Sequence, residues 1–178
     1  MKKNAIFIDR DGVINKLIIV NNKETSPKNF NQFSLNKNAK LAIKILKKNF
    51  LTIVITNQPD ISRKLMSKDE LHKMHNYILK KLLVDDIFAC LHDDNDNCNC
   101  RKPLPGMILK AEEKWNLNLK KSITVGDSWR DINAGKSAGT KTCYINKKNE
   151  RRQEINFDFE APDILSAAKI IDKNYIES

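Results

Sequence analysis

Short apolar runs and longer amphipathic stretches alternate along the chain, and they predict alternating strands and helices. Apolar runs of strand length, several of them rich in β-branched residues, occupy residues 4–8, 51–55, 87–90, 122–125 and 141–145. Apolar runs of this kind, without polar alternation, are typical of strands that are covered on both faces. We therefore expect five buried strands.

The segments between these runs carry apolar residues at helical spacing and predict five helices. These helices are expected over residues 38–48, 67–83, 105–115, 129–138 and 162–171. Ser67 and Glu70 have the spacing of a capping box at the start of the second helix, and Gly139 is suited to end the fourth. Residues 15–35 are polar and predict irregular structure, and residues 146–160 predict a loop.

Strands that alternate with helices predict an α/β fold, here a Rossmann-like three-layer αβα sandwich around a mostly parallel sheet. A chain of 178 residues can bury one sizeable core, and we expect a single domain over residues 1–178. The spacing of the elements leaves no room for a large cap domain. In such sheets, ligands bind at the carboxyl ends of the strands.

Two aspartates directly follow the first predicted strand. Asp9 and Asp11 stand in a turn that Gly12 makes easier to form. Two such carboxylates have complementary uses in phosphoryl transfer, because one can attack phosphorus and the other can carry a proton to and from the oxygens. Mg²⁺ bound between them and the phosphate would relieve their repulsion. The alternative interpretation of this Asp-x-Asp-Gly segment, residues 9–12, is an ordinary acidic turn.

Polar and basic residues follow the next two predicted strands. The hydroxyl of Thr56 and the amides of Asn57 and Gln58 stand at a strand end, where such groups can bind phosphate oxygens. Further along, Arg101 and Lys102 can offset the charge of a nucleophile and a phosphate. Each of these signals is weak alone, because Thr-Asn pairs are common in turns and basic pairs are common on surfaces.

A further acidic pair follows the fourth predicted strand. Asp127 comes directly after the strand and can hold Mg²⁺. Asp131 lies four residues later and can orient Lys102 or the metal shell, or can be a first-turn residue that the helix dipole favours.

Three cysteines and a histidine cluster within eleven residues: Cys90, His92, Cys98 and Cys100. Three thiolates and an imidazole suit tetrahedral Zn²⁺, and the polar residues between them cannot pack as core. A closed four-ligand shell has no open position, so we interpret the zinc as structural. The zinc loop, residues 90–103, would then hold Arg101 and Lys102 at the active site. Cys143 lies in a predicted strand and is expected to be a buried hydrophobe.

Taken in order, Asp-x-Asp, Thr, Lys and Gly-Asp-x-x-x-Asp resemble the haloacid dehalogenase superfamily of phosphotransferases. The resemblance implies Asp9 as the nucleophile that forms an aspartyl-phosphate, and Asp11 as the general acid/base. It also implies Thr56 and Lys102 as phosphate contacts. Mg²⁺ would lie among Asp9, Asp11 and Asp127, with Asp11 contributing its backbone carbonyl.

The zinc-loop run Cys-x-His…Cys-x-Cys-Arg-Lys-Pro-x-Pro-Gly-Met resembles the branch of D-glycero-D-manno-heptose 1,7-bisphosphate phosphatases. Histidinol-phosphate phosphatases belong to the same branch and carry a similar loop. The implied activity is hydrolysis of a heptose bisphosphate on the route to surface lipopolysaccharide, with histidinol phosphate as the alternative substrate. Residues 15–22 and 59–60 depart from the heptose pattern, so the resemblance transfers the reaction type better than the substrate.

The formal net charge of +10 allows nucleic-acid binding, and an alternative activity is the removal of 3′-phosphates from nucleic-acid ends. The lysines are scattered without interleaved aromatic residues, which favours a Lys- and Asn-rich surface over a nucleic-acid site. A zinc-stapled interaction module without catalysis is a third possibility. We expect a small sugar phosphate as the partner, and no nucleic acid.

The chain lacks about 18 consecutive apolar residues, so we expect no membrane span. Its first apolar run ends at Asp9, too early for the core of a signal peptide. These observations predict a cytoplasmic protein, which we expect to be a monomer.

Overall fold

Eight strands and five helices are present in the computed structural model, which describes residues 2–147 and 155–176. The strands are β1 (Ala5–Asp9), β2 (Ile18–Val20), β3 (Lys23–Thr25), β4 (Leu51–Asn57), β5 (Asp86–Cys90), β6 (Ile123–Gly126), β7 (Lys141–Ile145) and β8 (Phe159–Ala161). The helices are α1 (Ala39–Leu46), α2 (Lys68–Leu82), α3 (Gly106–Trp115), α4 (Trp129–Ala138) and α5 (Ile164–Ile176).

Six of the strands form one parallel sheet in the order β5-β4-β1-β6-β7-β8. From β1 the chain adds β4 and β5 on one side, then returns and adds β6, β7 and β8 on the other. This reversal makes the carboxyl end of β1 the topological switch point, where ligands of such sheets bind.

The central strand β1 is fully buried because helices cover both of its faces. Ile6 and Ile8 belong to an apolar cluster with residues of α1, α2 and α5, whereas Ala5 and Phe7 belong to a cluster with residues of α3 and α4. Successive side chains of a strand point to opposite faces, so an unbroken apolar run supplies both clusters. The predicted three-layer αβα sandwich is confirmed.

Most predicted elements are present with small changes at their ends. The predicted bounds of α4 and β7 match those observed, and Gly139, with a φ of 80°, caps α4 in the left-handed conformation. At the start of α2, Ser67 Oγ accepts from the backbone nitrogen of Glu70 at 3.2 Å. In a complete capping box, the Glu70 carboxylate would accept from the backbone nitrogen of Ser67. Here it accepts instead from the backbone nitrogen of Phe30 at 2.6 Å.

Two predictions of irregular structure were wrong. Residues 15–35 contain the hairpin of β2 and β3, whose turn residues Asn21 and Asn22 both have positive φ, as a type I′ hairpin turn requires. Residues 146–160 contain the start of β8, a three-residue edge strand that pairs with β7. Residues 148–154 of that predicted loop lie outside the described residues. The closing helix also begins and ends later than residues 162–171.

The connection between β1 and α1 carries only the hairpin and the short 3-10 turn Phe30–Gln32. The prediction that no large cap domain is inserted is confirmed, and the end of the sheet lies open. Within residues 2–147 and 155–176, none of the helices combines the length and the apolar character that crossing a bilayer requires.

Candidate active site

The Lys102 ammonium group connects the ends of β1 and β4 with α4. Its Nζ donates to Asp9 Oδ1 at 2.6 Å, to Asp131 Oδ1 at 2.6 Å and to the carbonyl oxygen of Ile55 at 3.0 Å. The side chain is only 4% exposed. Burial alone would lower the pKa of Lys102, but the carboxylates of Asp131 and Asp9 raise it above its ordinary value. The group is therefore a fixed positive charge beside Asp9.

Asp131 anchors Lys102 and the start of α4 at the same time. Its Oδ2 accepts from the backbone nitrogen of Ser128 at 3.0 Å and from Ser128 Oγ at 2.7 Å, while Oδ1 holds Lys102. The side chain lies so close to β6 that a methyl group at Gly126 would collide with it. Two alternatives left open by the sequence, orientation of Lys102 and a role in the first helical turn, therefore occur together in one residue.

Three carboxylates gather beside the carboxyl ends of β1 and β6. Oxygens of Asp9, Asp127 and Asp131 all lie within 4.8 Å of one another. Burial raises the pKa of Asp9 well above its ordinary value; Lys102 opposes this shift, and the neighbouring carboxylates reinforce it. Burial also raises the pKa of Asp127, whose Oδ2 accepts from Lys147 at 2.6 Å. Three carboxylates facing two ammonium groups leave excess negative charge, which fits a divalent cation with oxygen ligands.

The oxygens of Asp131 are already bound to Lys102 and Ser128, so Asp9 and Asp127 are the better metal donors of the cluster. Gly12 brings the turn after β1 against Asp127. Its φ of +92° lies in the left-handed region, and a methyl group there would collide with the Asp127 carboxylate.

The side chain of Asp11, proposed from the sequence as both catalyst and metal ligand, lies outside this carboxylate cluster. Its oxygens accept from Arg10 at 2.8 and 2.9 Å, from Asn15 Nδ2 at 2.9 Å and from Gln58 Nε2 at 2.6 Å. Burial opposes ionisation of Asp11, but Arg10 and the hydrogen bonds lower its pKa below the ordinary value. The side chain is thus held by donors, which leaves the backbone carbonyl as the metal donor that the family pattern implies.

The three polar residues at the end of β4 have different surroundings. Thr56 lines the open cavity that also contains Asp9, Asp11 and Lys102, with a volume of about 230 Å³. Asn57 exchanges two bonds of 3.0 Å with the backbone of Lys102 and so fixes the start of that side chain. Gln58 is only 2% exposed and donates to Asp11 and to Thr56 Oγ1. Its expected phosphate contact is therefore replaced by contacts that orient Asp11 and Thr56.

A larger cavity of about 470 Å³ lies at the amino ends of the strands. It is lined by lysines and aromatic rings, among them Lys121, Phe50 and Tyr175, and it contains none of the residues proposed for phosphoryl transfer. The chemistry of the side chains, rather than cavity size, therefore places the active site at the opposite edge.

The four predicted zinc ligands lie together at the end of β5 and in the loop that follows it. Cys90 Sγ is 3.2 Å from Cys100 Sγ and 3.7 Å from Cys98 Sγ, and His92 Nδ1 is 3.3 Å from Cys100 Sγ. All four ligand atoms lie within 4.8 Å of one another, and all the cysteines are free thiols. A tetrahedral Zn²⁺ with Zn–S bonds of about 2.3 Å places its sulfur ligands about 3.8 Å apart, so the cluster fits this ion. Cys143 is fully buried in β7, as predicted.

Ion pairs tie the zinc loop to its neighbours. Arg101 Nε donates to Asp94 Oδ1 at 2.8 Å within the loop, and its side chain borders the open cavity. Arg63, in the segment after β4, pairs with both oxygens of Asp93. These ion pairs hold the zinc loop at several points, and the loop in turn holds Arg101 and Lys102 beside the cavity.

Sequence reasoning missed five residues around the site: Arg10, Asn15, His75, Arg130 and Lys147. Arg10 is fully buried, and His75 Nε2 lies 3.3 Å from its Nη1. Arg130 borders the cavity and stacks over Trp129 at 4.9 Å. A sequence signal existed for two of them, since Arg10 stands between the two aspartates and His75 falls on the apolar face of α2.

A family match agrees with this geometry. Residues 24–139 match the sequence model of the haloacid dehalogenase-like hydrolases. The matched region is more than half of the chain, and the chain belongs to the haloacid dehalogenase-like hydrolase family.

Relatives that match most of the chain are named for one activity, heptose-1,7-bisphosphate 7-phosphatase. The D-glycero-alpha-D-manno-heptose-1,7-bisphosphate 7-phosphatase of Campylobacter jejuni is 34% identical, over 88% of this chain and 89% of the relative. The D-glycero-beta-D-manno-heptose-1,7-bisphosphate 7-phosphatase of Helicobacter pylori strain J99 is 33% identical, over 82% and 84%. Among solved structures, the D,D-heptose 1,7-bisphosphate phosphatase of B. bronchiseptica, complexed with magnesium and phosphate, has a TM-score of 0.85. It is 26% identical and covers 98% of this chain and 99% of that chain.

Proposed function

We propose that this chain is a Mg²⁺-dependent phosphatase that removes the 7-phosphate of D-glycero-D-manno-heptose 1,7-bisphosphate. The observation that carries this proposal is the buried Asp9 carboxylate at the end of the central strand, 2.6 Å from the Lys102 ammonium group. Asp11 and Thr56 border the same open cavity. The relatives described above support heptose bisphosphate as the substrate over histidinol phosphate.

In this proposal, Asp9 attacks the phosphorus atom, and the bond from phosphorus to the sugar oxygen breaks as an aspartyl-phosphate forms. The leaving oxygen receives its proton from the Asp11 carboxyl group, which becomes a carboxylate as it gives that proton up. In the second step, water attacks the phosphorus, the bond to Asp9 breaks, and Asp11 takes up a proton from that water. Lys102 and Thr56 hold the phosphate oxygens, and Asn57 keeps Lys102 in place.

The side chains of Asp9 and Asp127 and the backbone carbonyl of Asp11 would hold Mg²⁺. When bound, the ion offsets the negative charge of the phosphate and of the two carboxylates. Asp131 acts through Lys102, whose ammonium group it fixes at 2.6 Å. We further propose that residues 1–178 act as one domain and as a monomer.

The substrate can be tested by measuring phosphate release in the presence of Mg²⁺. The α and β anomers of heptose bisphosphate, histidinol phosphate and a DNA strand with a 3′-phosphate would be compared at equal concentrations. We expect at least about a tenfold higher kcat/KM for one heptose anomer than for histidinol phosphate, since specificity is a ratio of kcat/KM values. Both anomers are needed because the relatives divide between them.

Equal and feeble rates on the heptose and histidinol esters would overturn the substrate assignment. Efficient release from the DNA end, with binding that weakens steeply as salt rises, would instead favour the nucleic-acid alternative. Phosphate release from none of the esters would overturn the proposed catalytic function.

We propose that Cys90, His92, Cys98 and Cys100 bind one structural Zn²⁺. Replacing Cys98 by Ala is expected to remove the metal, lower the melting temperature and reduce phosphatase activity about tenfold, because the segment that carries Lys102 loses its anchor. Metal content would be measured by elemental analysis of the purified protein. The matched control is Cys143→Ala, which changes a buried cysteine outside the cluster and should leave the zinc content unchanged. Full zinc content in Cys98→Ala would contradict this assignment.

A further inference from the structure

Arg10 is a buried cation with two partners. It is the largest of the fully buried side chains in the described part of the chain. Its Nε and Nη2 donate to the Asp11 carboxylate at 2.8 to 3.1 Å, and its Nη1 faces His75 Nε2 at 3.3 Å. A guanidinium group removed from water must have its donors satisfied, so these contacts decide whether the charge can remain there.

His75 is placed to accept from Arg10. It lies on α2 between the buried residues Met74 and Ile78, and its own side chain is partly exposed. Burial, followed by the charge of Arg10, lowers the pKa of His75 to about 3, so the ring stays neutral near pH 7. A neutral imidazole with its proton on Nδ1 has a free lone pair on Nε2, which can accept a hydrogen bond from Arg10.

Asp11 is consequently held from three sides. Arg10 contacts both carboxylate oxygens, Asn15 donates to Oδ1 and Gln58 donates to Oδ2. These donors bind both oxygens of the carboxylate, and so they fix its position outside the cluster of Asp9, Asp127 and Asp131.

We propose that Arg10 and His75 are positioning residues, which hold the Asp11 carboxylate for proton transfer to and from the reacting oxygens. This inference rests on the proposed phosphatase function, because Asp11 is the group that it serves. His75 touches Arg10 rather than the reacting atoms, and it acts by fixing the guanidinium group against which Asp11 rests. Proton transfer depends steeply on such geometry.

The test compares His75→Leu with His75→Gln. Leucine cannot accept from Arg10, so we expect kcat for an alkyl phosphate such as the heptose ester to fall roughly tenfold while KM changes little. The loss on p-nitrophenyl phosphate should be smaller, because its leaving group needs less help from an acid. Glutamine offers a carbonyl oxygen to Arg10 and should restore most of kcat. The matched control is His72→Leu, an exposed histidine of the same helix.

A second measurement does not depend on activity. Nitrogen NMR of the His75 ring should show a neutral imidazole with its proton on Nδ1 between about pH 5 and about pH 8. A ring that titrates near its ordinary pKa, or an unchanged kcat in folded His75→Leu, would overturn the positioning role. A fall of equal size on both esters would also overturn it, since a general loss of structure acts in that way. Inactive wild-type protein would instead overturn the proposed function, and NMR would still decide the contact between Arg10 and His75.

Discussion

Replacing Asp9 by Asn is expected to reduce phosphate release by a factor on the order of 10⁴ or more while the protein remains folded. The amide has almost the shape of the carboxylate but is not a competent nucleophile. Stability should change by less than about 2 kcal/mol, because two effects oppose each other. Asn removes one negative charge from a crowded carboxylate cluster, and it also removes one of the two carboxylates that pair with Lys102.

The matched control for Asp9→Asn is Asp69→Asn, the same change at an exposed position in the first turn of α2. It should retain the wild-type rate. Mass spectrometry of enzyme quenched during turnover should detect one added phosphoryl group in the wild type and none in Asp9→Asn. A variant that keeps more than about a tenth of the wild-type rate would show that another group is the nucleophile.

The sheet could be predicted from the sequence because its strands are buried on both faces. β1 consists of four buried apolar residues followed by Asp9, and β4 contains an unbroken β-branched run. The hairpin of β2 and β3 gave no such signal, since Ile19 and Val20 are 75% and 46% exposed and the strands have three residues each. β8 was not predicted for a similar reason, because its position is set by pairing with β7 rather than by an apolar pattern of its own residues.

The residues of the candidate site differ in how far sequence could predict their surroundings. Asp9 ends β1 and Asp127 directly follows β6, so chain order alone brings them to one edge of a parallel sheet. The contact of Arg10 with His75 joins positions 65 apart, and it depends on how α2 packs on the sheet. Gln58 was expected to bind phosphate, but its direction is set by Asp11, which the sequence could not place around it.

The structure shows which of the many positive charges behind the net charge of +10 lie beside the active-site carboxylates. Asp9, Asp127 and Asp131 lie together at the carboxyl edge of the sheet, where their cationic partners are Lys102 and Lys147. The ammonium group that matters for Asp9 is therefore a single buried one rather than a general basic surface. This distinction predicts that removal of Lys102 affects both stability and catalysis, in contrast to removal of exposed lysines.

Replacing Lys102 by Met is expected to lower the free energy of unfolding by about 3–5 kcal/mol, because Asp9 and Asp131 then remain buried without their cation. Phosphate release should fall by a factor on the order of 10² to 10³, since a fixed positive charge beside the nucleophile and the phosphate is lost. Denaturant unfolding and phosphate release would be measured on the same preparations. The matched control is Lys114→Met, which removes an exposed lysine paired with Asp86 at 2.7 Å and should change both quantities little.

The double variant Lys102→Met with Asp131→Asn separates the two roles of the ammonium group. The amide at position 131 removes one unpaired buried charge, and its oxygen can still accept from Ser128, so part of the lost stability should return. Activity should not return, because no cation faces Asp9 or the phosphate. If Lys102→Met unfolds at the same denaturant concentration as Lys114→Met, the buried ion pairs do not stabilise the fold. If the double variant regains the wild-type rate, Lys102 contributes to catalysis only through structure, and its proposed contact with the phosphate is wrong.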